Sequence, residues 1–152
     1  MKSICVWVTI ACTLAAMTTR CQIIPPVNQR QAEKPTLFSQ LPAKISCSAG
    51  SLQNIFTAAV NSPVSIEINP AMKVEGLVIA KAAVSPEQLS INIRCSNFQD
   101  ALLNISRIKE QDGSFSYIGR MVSPGHGDVL LLWQDHGQYA FIRQKQLLSM
   151  VE

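Results

Sequence analysis

Two short pairs of residues in this chain have the types that catalysis or metal binding would need. His126 and Asp128 form a His-x-Asp pair, and Asp135 and His136 are adjacent. Imidazole and carboxylate together can bind a divalent metal or relay a proton. One site cannot use both pairs if the residues between them form a single strand. Seven steps of about 3.4 Å would hold them roughly 24 Å apart, whereas metal ligands lie about 2.0–2.2 Å from a common ion. Asp135-His136-Gly137 reads instead as a hairpin turn, and Pro124-Gly125-His126-Gly127 as a flexible loop. Pro124, His126 and Asp128 are retained as loop candidates for contact with a partner.

Nucleophiles and paired carboxylates give weaker patterns. The chain has no Gly-x-Ser-x-Gly elbow. Glu67, Glu75, Glu87 and Glu110 stand singly along or between strands, so a small secreted hydrolase is the lowest-ranked alternative. Gly125 and Gly127 lie between two strand patterns rather than before a helix, so they do not form a dinucleotide loop, and no cofactor and no metal is expected. Tyr117, Trp133, Tyr139 and Phe141 fall on consecutive strands. They could wall a small-ligand or sugar site, or they could be cross-strand packing in the core.

The first 21 residues qualify the bulk composition. Met1-Lys2-Ser3, an uncharged apolar run from Ile4 to Met17, and Thr18-Thr19-Arg20-Cys21 have the layout of a signal peptide. The run has 14 residues, short of the roughly 20 that a spanning helix needs. The expectation is therefore an exported protein, secreted or periplasmic, with no stable transmembrane span in the mature chain. Lipid anchoring at Cys21 is a weaker alternative, because Thr18-Thr19-Arg20 is a poor context for it.

Cleavage after Cys21 takes 21 of the 152 residues and leaves 131, enough for one domain. Lys2 and Arg20 leave with it, so 11 basic and 10 acidic residues remain and the net charge falls from +3 to +1. With the remaining Lys and Arg scattered singly, no nucleic-acid partner is expected. Of five cysteines only Cys47 and Cys95 remain. In an oxidising compartment they are expected to pair as a disulfide; the alternative is two buried thiols. Without a Cys-x-x-Cys, no redox role is expected.

The elements that must position these residues follow from periodicity. Residues 22–42 carry Pro25, Pro26, Pro35 and Pro42 and read as a flexible arm, with Leu37 and Phe38 as a docking or strand segment. Residues 43–152 form the single β-rich domain. Lys44 to Ser48 alternates as a strand. Leu52, Ile55, Phe56, Ala59 and Val60 then recur at helical spacing, which predicts a helix over 51–60 capped by Ser48 or Ser51.

From Val64 the period is two. Strand patterns run through Val64–Ile68, Met72–Val84 (with a bulge near Gly76), Leu89–Cys95, Leu103–Lys109, Phe115–Met121, Asp128–Gln134 and Tyr139–Ile142, and residues 144–151 could close as a short helix. Turns of three to five residues force antiparallel neighbours. The predicted fold is thus mainly β: an up-and-down meander of about six strands, curled into a barrel or a strongly bent sheet, beside the earlier strands and helix. The expected function is a non-catalytic binding or interaction domain for a small ligand or a protein. The alternative is an enzyme inhibitor acting through the arm or a hairpin tip.

Overall fold

In a computed structural model, residues 34–145 are described; the expected leader, most of the expected proline arm and the expected closing helix from residue 146 lie outside them. Eight strands form one antiparallel sheet bent into a half-barrel: β1 (Lys44–Cys47), β2 (Pro63–Asn69), β3 (Met72–Ala83), β4 (Gln88–Cys95), β5 (Ala101–Lys109), β6 (Phe115–Val122), β7 (Asp128–Asp135) and β8 (Gln138–Lys145). Their order is β1-β8-β7-β6-β5-β4-β3-β2. From β3 onward these are the six strands of the predicted meander, and β2, expected among the earlier strands, extends it to seven. The first strand departs from chain order and pairs with the last, Ile45 opposite Phe141 and Cys47 opposite Tyr139.

The turns follow their residues. Gly113 takes φ 84° in the Glu110–Ser114 turn, and His136 and Gly137 take φ 48° and 78° between β7 and β8. Two successive left-handed residues make the primed turn whose twist matches that of a hairpin. Asp135-His136-Gly137 is therefore the turn its residues predict. The bulge in β3 lies at Ile79, between the pairs Val78–Ile93 and Ala80–Asn92, rather than at Gly76. Val78 also bonds to the chain preceding β2: its N–H donates to Ser62 O at 3.1 Å and its carbonyl accepts from Asn61 N at 2.8 Å. Gly76 instead allows close approach, because a Cβ there would collide with the Arg94 carbonyl.

The helix α1 (Ala49–Ile55) is shorter than its apolar spacing predicts. The Ser48 side chain accepts from Ser51 N at 3.0 Å as its N-cap. Leu52, Ile55 and Phe56 are buried as expected, but Val60 is exposed. The last turn closes locally, Phe56 N donating to Gln53 O at 3.0 Å and Thr57 N to Asn54 O at 3.2 Å. Beyond it, Lys81 reaches over from β3 and its Nζ donates to Phe56 O (2.5 Å) and Ala58 O (3.3 Å). Those carbonyls are thereby satisfied without a further helical turn.

The concave face holds the core, with Ile91, Ile93, Leu103, Ile105, Met121, Leu130 and Phe141 fully buried. On β6 the predicted inward set holds for Tyr117 and Met121, but Phe115 at the strand's start is exposed. The two edge strands approach one another: Asn69 Nδ2 donates to Ser46 O at 2.8 Å. One backbone acceptor of an otherwise open edge is thereby occupied. At the C-terminal end, Gln144 and Lys145 belong to β8 rather than to a helix.

Part of the predicted arm belongs to the domain. Residues 34–42 form bends and turns, with Phe38 completely buried against Phe98 at a centroid distance of 5.9 Å.

Candidate functional site

The histidine and carboxylate candidates separate as strand geometry requires, because Asp128 and Asp135 are the two ends of β7. Among the described residues no group of three or more His, Cys, Asp or Glu converges on a point where a metal could sit. Asp128 is 2 % exposed, and its carboxylate oxygens accept from Leu37 N at 2.7 Å and Phe38 N at 2.8 Å. It is an anchor for the preceding chain segment rather than an exposed contact. Gly127 N donates to Pro35 O at 2.9 Å, Lys34 Nζ to Pro124 O at 2.9 Å, and Arg143 to Phe38 O at 2.9 Å. His126 Nδ1 lies 2.8 Å from Ser123 Oγ. The loop that its glycines mark as flexible is thus clasped by residues 34–38.

The cysteines are both free thiols, so the expected disulfide is not formed. Cys47 lies on β1 and Cys95 at the end of β4, with β8, β7, β6 and β5 between them in the sheet. Burial pushes the Cys47 thiol up to about 11. It pushes Cys95 up to about 12, against an opposing backbone hydrogen bond from Leu103. Neither has the lowered pKa of a nucleophile.

The four aromatic candidates divide between two faces. Tyr117, Tyr139 and Phe141 are buried on the concave side. Tyr117 and Tyr139 meet edge to face at 5.5 Å, and Phe56 from the end of α1 lies 6.1 Å from Tyr117. The Tyr117 hydroxyl donates to Gln53 Oε1 at 2.7 Å. Arg107 donates to the same oxygen at 3.3 Å and lies over the Phe56 and Phe115 rings, 5.2 and 4.5 Å from their centroids. This cluster docks α1 on the sheet, and burial is the main cause that raises both tyrosine pKa values. Arg107 and Gln53 carry no signal in the sequence, because the two partners lie 54 residues apart.

Trp133 stands apart from the other three. It points outward, 60 % exposed, beside Ala140 on β8. The β6–β7 ladder ends at Gly119–Leu132. Trp133 and Ile118, the latter 52 % exposed, stand one register position beyond that pair on the same outer face. The next outward row across the sheet runs Asn92, Asn104, Arg120, Leu131, Ile142 and Lys44. Asn104 donates to Asn92 Oδ1 at 2.6 Å. Along this row the outer face is polar on β4 and β5, with Asn92 and Asn104, and apolar on β7 and β8 beside Trp133, with Leu131 and Ile142.

A groove of about 370 Å³ opens beside the indole where β1, the start of α1 and the β7–β8 hairpin meet. Lys44, Ser46 and Ser48 line one side; Trp133, Asp135 and Gln138 line the other. Asp135 Oδ1 contacts His136 Nδ1 at 2.5 Å, with both side chains mostly exposed. In comparisons with family models, curated proteins and solved structures, the chain matches none of them.

Proposed function

We propose that this chain is an exported, non-catalytic binding domain that presents the outer face of β6, β7, β8 and β1 to its ligand or partner. The leader-like first 21 residues support export. The observation that carries the binding role is Trp133, 60 % exposed beside Ile118 at 52 %, on strands whose opposite face is fixed in the core. A large indole left in water on a fixed strand is the kind of group that dominates recognition energy when a partner covers it. The inhibitor alternative has less support, because residues 34–38 are already bound to the domain's own loop.

The test is position-specific photo-crosslinking of the full chain in its producing cells. A photoreactive phenylalanine replaces Ile118 or, as a control of similar exposure off this face, Val84, which is 63 % exposed. Adducts at position 118 and none at 84 are expected. Equal labelling at both positions, or none at either, contradicts the proposal.

A further inference from the structure

We infer that the groove beside Trp133 holds a neutral pyranose ring of a glycan, stacked on the indole, with Asp135, Gln138, Ser46 and Lys44 as its hydrogen-bonding rim. This rests on the reading of the outer face as a binding surface and supplies its ligand class. The groove's volume of about 370 Å³ lies at the small end of the range for ligand sites, about 300–1,000 Å³. Its lining includes Ala49, Gly137 and Ala140, whose short side chains leave space next to the ring.

The lining chemistry selects among ligands. A purely aliphatic ligand would cover the Ser46 hydroxyl, the Gln138 amide and the Asp135 oxygen that does not face His136 without satisfying them, which is costly for each polar group. A ligand of one strong charge meets Lys44 and Asp135, of opposite sign, in the same groove. A sugar fits both conditions. Its C–H face is apolar and lies on a flat aromatic, while its hydroxyls donate to a carboxylate and accept from an ammonium with equal ease. An extended peptide adding to the free edge of β1 is disfavoured, because the Ser46 carbonyl already accepts from Asn69.

The site carries its own reporter. The chain has two tryptophans, Trp7 in the leader and Trp133. In the full chain with Trp7→Phe, emission therefore comes from Trp133 alone. The probes are the β-methyl glycosides and short β-linked oligomers of glucose, galactose and N-acetylglucosamine. A saturable change in emission is expected with at least one series, at a dissociation constant near 1 mM, the equivalent of about −4 kcal/mol. Asp135→Ala and Gln138→Ala, both at exposed positions, are expected to weaken it about tenfold each with unchanged circular dichroism.

Flat titrations to about 50 mM with every probe, while acrylamide still quenches Trp133, would overturn the sugar assignment. So would binding that Asp135→Ala leaves unchanged. Cross-linking at position 118 but not at 84 would then show the binding face standing without the sugar. Loss of both results would remove the face as well.

Discussion

Asp128 ties the segment before β1 to the start of β7. A buried carboxylate is tolerated only when its oxygens are satisfied, and here two backbone N–H groups at 2.7 and 2.8 Å do so. Asp128→Ala leaves those donors unpaired, and hydrogen bonds to a charged acceptor are worth about 1.5–3 kcal/mol each. The expected loss is about 3 kcal/mol in urea denaturation; a change below about 0.5 kcal/mol would show that the clasp holds nothing. The thiols give a prediction in pH. Cys47 and Cys95 ionise near 11 and 12 in the folded chain, against an ordinary 9.0. Above pH 9 the unfolded chain therefore loses protons that the folded chain keeps, and stability falls as pH rises from 9 toward 12. The buried tyrosines act in the same direction above their ordinary 10.0. Replacing both cysteines by alanine should flatten the lower part of that fall in alkaline urea titrations. An unchanged slope between pH 9 and 10 would contradict the shifts.

At the scale of elements, two glycines let neighbouring strands approach closely, Gly76 on β3 against β4 and Gly119 on β6 against β5. Gly119 on β6 lies against β5, where a Cβ would fall 2.6 Å from Asn104 O. At Gly76, Arg94 O leaves no room at all. Gly119→Ala and Gly76→Ala are each expected to destabilise by about 3 kcal/mol or more, because the obstacle is backbone. Gly125 has nothing within 4 Å of a new Cβ, and Gly125→Ala should stay within about 0.5 kcal/mol. Thermal melts of the three variants check the order.

The strands and hairpins were legible because their information is local: alternation fixes a face, and Asp112-Gly113 and His136-Gly137 fix the turns. The end of α1 was not, because the apolar spacing runs on to Val60 while the backbone closes at Phe56 and Thr57 with bonds to Gln53 O and Asn54 O. The pairing of β1 with β8 was equally hidden, since no short-range pattern relates Ile45 to Phe141. The candidate site was legible only in part. Trp133 was marked by type, but its separation from Tyr117, Tyr139 and Phe141 depends on which way each strand faces the core. Lys44, Asp135 and Gln138 become neighbours only through the β1–β8 pairing and the hairpin.

For the whole molecule, the core takes in a segment that composition assigns to a tether. Phe38 contributes a fully buried ring, and Phe38→Ala should cost about 3–5 kcal/mol, comparable with a residue of the sheet itself. A chain beginning at Ala43 should therefore be far less stable than one beginning before Lys34, by the same denaturation measurement. Equal stability would mean that the segment is merely laid on the surface. Among the four aromatic candidates, the larger division is between the three that build the half-barrel and Trp133, which it displays. If Trp133 is free for recognition, it contributes little to the fold. Urea denaturation of Trp133→Ser beside Phe141→Ala separates the two roles. The expected loss is about 1 kcal/mol or less at position 133 and about 3–5 kcal/mol at position 141. Equal losses at the two positions would contradict this division, because Trp133 would then be a structural residue like the other three.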